Sequence, residues 1–270
     1  MAGGDYNELC SVLTYKTYQT RKKYAPHSLK NKTMKYPKMP LETHPHDPST
    51  RYLTSWSGGK DSAYAFWCAH QRGATPVGLM NMLAETGERS RSHGLPPSVL
   101  RAQAAALGLP ITFGQAGWND YEQVWVTQAQ GIAASTHATH VVFGDIDLEA
   151  HRDWEEHVCA QAALRAWLPL WQRPRLTLLN EMLDIGMQAL IVSARADCID
   201  LLGETLNPEV IRSLTERGAD ACGENGEYHT CITHMPNFNQ AIKLVHGDKQ
   251  MSPEGYGFLQ VELCTDAINA

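Results

Sequence analysis

One six-residue string, SGGKDS at residues 57–62, constrains this chain more than any other feature. The apolar run RYLTSW precedes it, and KDSAYAFWCAHQRG, a segment with helical spacing, follows from its lysine onward. The string therefore predicts a tight loop between a strand and a helix. Gly58 and Gly59 permit backbone conformations closed to other residues, and they let main-chain N–H groups approach an anion. The start of the helix adds unpaired N–H groups and the positive end of the helix dipole.

The side chains of the loop fit a phosphate-binding role. Ser57 and Ser62 can donate hydroxyl hydrogen bonds to phosphate oxygens, and Lys60 supplies a compact cation. Asp61 would repel a phosphate, so we expect it to bind Mg²⁺ that bridges it to a nucleotide. A glycine turn with an incidental helix cap explains two glycines and a serine, but it leaves the full string unexplained. The Walker spacing G-x-x-x-x-G-K-[ST] is absent, so the predicted loop belongs to another type.

Strand and helix patterns alternate along the chain after this loop. TPVGLMNML, ITFGQA and THVVFGD are predicted strands, and PPSVLRAQAAALGLP and DYEQVWVTQAQGIAAST are predicted helices. This alternation is typical of an α/β fold with a doubly wound parallel sheet, in which ligands bind at the carboxyl ends of the strands. We expect a flexible basic leader over residues 1–50, a nucleotide-binding domain over 51–172 and a smaller C-terminal α/β domain, on the substrate side, over 173–264.

Composition narrows the class of protein. Residues 1–50 hold eight Lys or Arg and four Asp or Glu, which leaves 15 basic and 25 acidic side chains in the rest of the chain. An acidic body is a poor match for nucleic acid, whereas the basic leader could either touch RNA or simply be solvated. No apolar window is long enough to span a membrane. Seven scattered cysteines argue against a disulfide framework, and we expect a cytoplasmic protein.

Two further segments follow predicted strands and should face the same edge of the sheet. In SRSHGLPP, the residues Ser92, His93 and Gly94 are candidate nucleotide contacts, although a polar loop with a helix cap explains them equally well. In VVFGDI, Gly144 would let a base or ribose lie against the backbone, and Asp145 can bind hydroxyl groups or a metal. A tight turn between a strand and a helix is the alternative for this pair.

The segment CGENGEYHT breaks the α/β rhythm with small and charged residues. Glu224 and Glu227 lie three residues apart around a glycine turn, which would present both carboxylates to one place. Such a pair could recognise a cation, share a metal ion or accept protons from an attacking amine, and His229 would lie beside them. A solvated hairpin loop is the plainer interpretation. A zinc site of Cys222, His229 and Cys231 would lack a fourth ligand.

These motifs together resemble a known family. SGGKDS resembles the PP-loop of the adenine-nucleotide alpha-hydrolase superfamily, whose fold is a doubly wound, HUP/Rossmann-like parallel sheet. RSRSHGLPPSVLRAQAAALGLPI (89–111), FGDIDLEAHRDWEEHVC (143–159) and CGENGEYHT (222–230) resemble the diphthine–ammonia ligase family. The resemblance runs in order from Arg51 to about Phe238. The family commonly continues with an Asp-Gly-Pro turn where this chain has THMPNF, so the substrate-side loop departs from the pattern.

The resemblance implies an ATP-dependent, AMP-forming ligase that adenylates a carboxylate and converts it to an amide with ammonia. Its cofactors would be ATP and Mg²⁺, with Asp61 as the metal ligand, and its acceptor would be diphthine on a translation elongation factor. Catalytic roles would fall to Lys60, Asp61, Glu224, Glu227 and His229. Nucleotide binding would fall to Ser57, Gly58, Gly59, Lys60, Asp61, Ser62, Ser92, His93, Gly94, Gly144 and Asp145. A nucleotide sensor without catalysis, a PP-loop enzyme that modifies tRNA, and a scaffold remain alternatives, and a homo-oligomer is compatible with the sequence.

Overall fold

The computed structural model describes residues 49–253 and 255–264. The predicted leader over residues 1–50 lies outside the described residues except for Ser49 and Thr50, so its role stays a prediction.

The first half of the described chain forms a five-stranded parallel sheet with helices between the strands. Its elements are β1 (Arg51–Ser55), α1 (Lys60–Gln71), β2 (Thr75–Leu83), α2 (Pro97–Leu107), β3 (Ile111–Gln115), α3 (Tyr121–Thr136), β4 (His140–Val142), α4 (Glu149–Gln161) and β5 (Arg165–Trp167). The strand order is β3-β2-β1-β4-β5, and each neighbouring pair is parallel. The doubly wound α/β fold predicted from the sequence is therefore confirmed, with the phosphate loop leaving the central strand.

Both faces of this sheet are buried, and successive apolar side chains of the central strand β1 pack on opposite faces. Tyr52 of β1 packs in a hydrophobic cluster with residues of α1 and α2, whereas Leu53 packs in a second cluster with residues of α3 and α4. Successive side chains of a strand point to opposite faces, so one short apolar run serves two helical layers. α2 begins with Pro97 at its first position and ends at Gly108, which adopts φ +69°.

The second half forms a four-stranded antiparallel sheet of order β7-β6-β9-β8. Its elements are α5 (Arg175–Asp184), β6 (Gln188–Arg195), a 3₁₀ helix (Ala196–Leu201), α6 (Pro208–Glu216), β7 (Tyr228–His234), β8 (Leu244–Met251) and β9 (Tyr256–Leu263). The predicted Asn207 cap is present, since Asn207 Oδ1 accepts a hydrogen bond of 2.9 Å from Val210 N.

The two halves share one hydrophobic core. The cluster that contains Tyr52 and Phe66 of the first half also contains Leu178, Ile191 and Phe238 of the second. β7, an edge strand of its own sheet, lies against the phosphate loop, because Ile232 N donates to Gly58 O at 2.9 Å. The boundary near residues 172–173 stays a prediction. In the described ranges, no helix combines the length and apolar character that crossing a membrane requires.

Candidate active site

The phosphate loop connects the end of β1 at Ser55 to the start of α1 at Lys60. Gly58 adopts φ +85°, a left-handed conformation, and a Cβ there would lie 2.7 Å from side-chain carbons of Leu95 and Leu100. A Cβ on Gly59 would lie 2.4 Å from His93 Cε1. Gly58 is therefore required by its backbone conformation as well as by packing, whereas Gly59, with φ −98°, is required by packing alone.

Gln103 of α2 binds the loop through hydrogen bonds of its side-chain amide, a role that no sequence motif indicated. Its side-chain Oε1 accepts from Trp56 Nε1 at 2.9 Å, and its Nε2 donates to Gly58 O at 3.1 Å and to Ile232 O at 2.8 Å. One fully buried amide thus joins the end of β1, the loop and β7. Buried polar networks whose members are all satisfied fix a single arrangement, and this one fixes the loop relative to the second sheet.

The loop's hydroxyl groups make hydrogen bonds within the protein. Ser57 Oγ and Ser62 Oγ lie 2.9 Å apart, and Gly59 N donates to Ser57 Oγ at 3.3 Å. Lys60 N donates to Thr230 Oγ1 of β7 at 3.0 Å. The residues predicted to bind phosphate are therefore assembled in one place, and a strand from the second half shapes their loop.

Lys60 is buried, with 4% of its surface exposed, and its charge is balanced locally. Its Nζ donates to both carboxylate oxygens of Asp61 at 2.8 and 2.9 Å and lies 5.3 Å from the ring centre of Tyr228. Burial, the largest single cause, would lower the pKa of Lys60, but the interactions with Asp61, Tyr228, Cys222 and Glu224 together outweigh it, and the pKa is raised well above its usual value. Lys60 therefore carries a permanent positive charge at the start of α1.

Asp61, Cys222 and Glu224 converge beside this lysine, with their ligand atoms all within 4.8 Å of one another. Burial and the charges of Asp61 and Asp145 raise the pKa of Glu224 to about 8. Burial likewise raises the pKa of the Cys222 thiol to about 12, so the sulfur keeps its proton at neutral pH. Two carboxylates crowded in this way suit a hard divalent cation such as Mg²⁺, whereas a protonated thiol is a poor ligand.

Glu227 has a different environment from Glu224. It is 2% exposed, and its carboxylate accepts hydrogen bonds from Asp220 N at 3.1 Å and Asn225 N at 3.0 Å. These bonds close the loop of residues 220–227 on itself. The structure thus brings Glu224, and not the carboxylate of Glu227, to the cluster with Asp61. The predicted catalytic role of Glu227 stays a prediction, and its placement favours a structural one.

His93 and His229 pack against each other beside the loop, with ring centres 5.0 Å apart. His93 Nδ1 lies 3.1 Å from Ser57 O, a carbonyl that can only accept, so this nitrogen carries a proton. Burial lowers the pKa of His93 to about 4. Burial, and then the proximity of His93 and Lys60, lower the pKa of His229 well below its usual value. Both imidazoles are therefore neutral at physiological pH.

Ser92 and Gly94, which flank His93, lie in the turn that carries it. Ser92 is exposed, and Gly94 adopts φ +66° with its carbonyl oxygen bound by Arg89 Nη1 at 2.9 Å. The guanidinium of Arg91, in the same turn, instead lies 4.4 Å from the ring centre of Trp118. The turn therefore presents His93 to the phosphate loop, and the nucleotide contacts expected of Ser92 and Gly94 stay predictions.

Gly144 and Asp145 follow β4 and reach the same edge of the sheet. A Cβ on Gly144 would lie 2.6 Å from the backbone C of Asp61 and the backbone N of Ser62, so glycine lets this turn touch the start of α1. Asp145 accepts a hydrogen bond of 2.5 Å from His151 Nδ1, and its negative charge contributes to the raised pKa of Glu224. Both residues thus border the cluster.

Arg175 links the loop of residues 220–227 to the first half, and no motif pointed to it. Its guanidinium binds both carboxylate oxygens of Asp147 at 2.8 and 2.9 Å and Asp220 Oδ2 at 2.5 Å. Asp220 in turn accepts from Cys222 N and Glu224 N, both at 3.0 Å. An isolated arginine at the start of a helix carries no sequence signal, because its two partners lie 28 and 45 residues away.

Known proteins that resemble this chain point to the same family. A family model of the diphthamide synthase N-terminal domain matches residues 50–166, and a model of the diphthamide synthase C-terminal domain matches residues 174–265. A human diphthine–ammonia ligase is 28% identical over 241 residues, 77% of this chain and 90% of the human protein. A zebrafish (Danio rerio) diphthine–ammonia ligase is 25% identical over 74% of this chain and 91% of its own.

Among solved structures, a predicted subunit of tRNA methyltransferase from Methanocaldococcus jannaschii covers 69% of this chain and 97% of its own. Its identity is 15% and its TM-score is 0.37, a similarity too low to carry weight. The two family matches together span both sheets and every motif described above. The chain therefore belongs to the diphthamide synthase family, which the sequence analysis named as the diphthine–ammonia ligase family.

Proposed function

We propose that this protein is an ATP-dependent ligase that converts a carboxylate to an amide with ammonia, and that it forms AMP and pyrophosphate. The observation that carries the proposal is the junction of two motifs from different halves. The phosphate loop is hydrogen-bonded to β7 through Gly58 and Lys60, and Asp61 of that loop meets Glu224 of the segment CGENGEYHT. A nucleotide site and an acidic acceptor site thus share one edge of the parallel sheet.

The first step would be attack of the acceptor carboxylate on the α-phosphorus of ATP. A bond forms from carboxylate oxygen to phosphorus, the bond to the bridging oxygen of the β-phosphate breaks, and pyrophosphate leaves with the electron pair. Lys60, whose charge Asp61 helps to maintain, would stabilise the negative charge on the phosphates. Main-chain N–H groups at the start of α1 act in the same sense, because the helix dipole favours an anion there.

Mg²⁺ fits the carboxylates of Asp61 and Glu224, and when bound it would neutralise phosphate charge and orient the triphosphate. Asp61 then has two tasks, since it also pairs with Lys60. Burial, and then the charges of Asp61 and Asp145, raise the pKa of Glu224, and the two negative charges mark a place where positive charge is favoured.

The second step would be attack of ammonia on the acyl-adenylate. Nitrogen bonds to the carbonyl carbon, AMP leaves, and the nitrogen must lose a proton. Glu224, with a pKa of about 8, is suited to accept that proton near neutral pH when its carboxylate is not holding Mg²⁺. His229, the other predicted catalytic base, is the weaker acceptor, because burial and the proximity of His93 and Lys60 hold its pKa well below the usual value.

We further propose that the acceptor is diphthine on a translation elongation factor. Its side chain carries a carboxylate to be activated and a trimethylammonium group, and the acidic cluster of Asp61, Asp145 and Glu224 suits a cation. The names of the human and zebrafish relatives support this choice of acceptor.

The proposal is tested with the full chain, ATP, Mg²⁺ and nitrogen-15 ammonium, together with diphthine-bearing elongation factor or a panel of small carboxylic acids. We expect AMP and pyrophosphate to appear in step with transfer of the label into the acceptor, measured by mass spectrometry. Asp61→Asn should abolish turnover and leave the fold intact, with a cooperative urea transition at lower urea because the buried charge of Lys60 loses its partner. Production of ADP and phosphate, or hydrolysis of ATP that no acceptor stimulates, would contradict the proposed ligase.

A further inference from the structure

We infer that Arg175 is a positioning residue, which aligns the acceptor-side loop of residues 220–227 with the ATP-binding half of the site. The inference rests on the proposed function and deepens it, since it names the group that joins the two halves of that site. Arg175 is the first residue of α5, directly after the segment that connects the two halves.

The guanidinium contacts one carboxylate from each half. Asp147, in the turn between β4 and α4, receives two parallel hydrogen bonds from Nε and Nη2, at 2.9 and 2.8 Å. Asp220, which lies eight residues before β7, receives one from Nη1 at 2.5 Å. Arginine suits this task because its planar fork fixes direction as well as charge, which the single ammonium of lysine does not.

Asp220 connects Arg175 to the residues that face the phosphate loop. Its Oδ1 accepts from the backbone N of Cys222, and its Oδ2 accepts from the backbone N of Glu224. The Cys222 thiol also lies 4.0 Å from the carbonyl oxygen of Arg175. The backbone at Cys222 and Glu224, both of which lie beside Asp61, is therefore positioned by the single carboxylate of Asp220, and that carboxylate is bound by Arg175.

The turn bound on the other side begins beside the cluster. Asp147 is two residues beyond Asp145, whose charge reaches Glu224, and three beyond Gly144, which touches the start of α1. Contacts therefore connect α1 to the β4–α4 turn, and Arg175 connects that turn to the acceptor-side loop. The side chain of Asp220 is 12% exposed and that of Arg175 is 30% exposed, so water screens their attraction less than it screens a fully exposed ion pair.

A second arginine–carboxylate pair offers a matched control. Arg217 binds both oxygens of Asp200 at 2.7 and 2.6 Å, through Nη1 and Nη2, so this pair also has two parallel hydrogen bonds. That pair is local to the second half, and Asp200 is 56% exposed. Arg217→Gln removes an arginine–carboxylate pair of similar geometry without touching Asp147 or Asp220.

The first measurement is amide hydrogen exchange on the full chain, without any ligand. We expect Arg175→Gln, and Asp147→Asn independently, to speed exchange at the Cys222 and Glu224 amides by about tenfold, since hydrogen bonds to a charged group are lost or loosened. Exchange in α6 should not change, and Arg217→Gln should leave the two amides as they are. Equal acceleration in α6, or no acceleration at the two amides, would overturn the inference.

The second measurement separates positioning from binding. With ATP, ammonium and diphthine-bearing elongation factor, Arg175→Gln should lower kcat by about tenfold to a hundredfold, the penalty for misplaced groups, and change the KM for ATP by less than about threefold. Arg175→Lys should recover only part of kcat, because it restores charge without the fork. A raised KM for ATP at unchanged kcat, or full recovery with Lys, would overturn the positioning role.

The two measurements distinguish failure of the inference from failure of the proposed function. If the unaltered protein does not turn over this acceptor, the acceptor assignment fails, while the exchange measurement still reports whether Arg175 holds the loop. If turnover is present and exchange at the two amides is insensitive to Arg175, the proposed function stands and the inference falls.

Discussion

The carboxyl group of Glu224 owes its chemistry to its neighbours. Burial and the charges of Asp61 and Asp145 raise its pKa to about 8 in the folded protein, against 4.5 for an unperturbed glutamate. Between these two values the folded state keeps a proton that the unfolded chain has released. Stability therefore falls as the pH rises through this window, because folding takes up a proton there.

Glu224→Gln tests this charge state, since glutamine resembles the protonated acid. We expect the variant to match the unaltered protein in urea unfolding at about pH 5 and to be more stable by on the order of a few kcal/mol at about pH 8.5, without divalent cations. Glu227→Gln is the control, because it disturbs hydrogen bonds to Asp220 N and Asn225 N and should destabilise at both pH values. A stability difference between Glu224→Gln and the unaltered protein that is independent of pH would contradict the assignment.

The sequence could not separate these two glutamates. They lie three residues apart in a glycine-rich turn, and the local pattern assigns them the same role. What distinguishes them is tertiary: Glu224 meets Asp61, 163 positions earlier in the chain, whereas Glu227 satisfies backbone N–H groups of its own loop. Burial of this kind depends on how the second half packs on the first, and a motif does not encode it.

Among the structural elements, α1 depends on contacts that it does not make itself. Its first turn is fixed by Thr230 of β7, through Lys60 N, and by the turn after β4, through Gly144. A helix start that must bind an anion needs its N–H groups held in a fixed direction. Two neighbouring elements provide that here.

Gly144→Ala tests the contact between the β4–α4 turn and α1. The added Cβ would lie 2.6 Å from two backbone atoms of Asp61 and Ser62, so the start of α1 must shift. We expect destabilisation by about 1–3 kcal/mol, as for overpacking, and a loss of ATP affinity of about tenfold by calorimetry.

Gly131→Ala, within α3, is the matched control. A Cβ there meets nothing within 4 Å, so alanine should add about 0.5–1 kcal/mol of stability and leave ATP affinity unchanged. Unchanged ATP affinity in Gly144→Ala would show that the turn does not support the nucleotide site.

For individual helices and strands, the sequence predicted an element correctly where a local pattern of residues defines it. The strand–loop–helix around SGGKDS and the helix capped by Asn207 are confirmed, because glycines, caps and apolar period all lie within a few residues. Strand β5 is only three residues long and continues a helical pattern, and β8 is mostly exposed, so neither showed an apolar alternation to predict it. β5 forms because it pairs with β4, and β8 forms because it pairs with β9.

For the whole molecule, the phosphate loop lies at a junction and not within one half. Gly58 O and Lys60 N are bonded to β7, and Gln103 spans both halves. The hydrophobic cluster around Tyr52 continues into the second sheet. Binding of ATP to the first half is therefore expected to depend on the second half being folded.

A chain of residues 46–172 tests this dependence. It would expose the apolar surface that Leu178, Ile191 and Phe238 cover, and it would leave Gly58 O and Lys60 N without their partners in β7. We expect it to lack a cooperative urea transition and to bind ATP at least about tenfold more weakly than the full chain. A chain of residues 46–270 is the control and should bind ATP like the full chain, because it keeps both sheets. If the 46–172 chain unfolded cooperatively and bound ATP normally, the loop would need no support from β7, and the junction could not be what sets the geometry of the site.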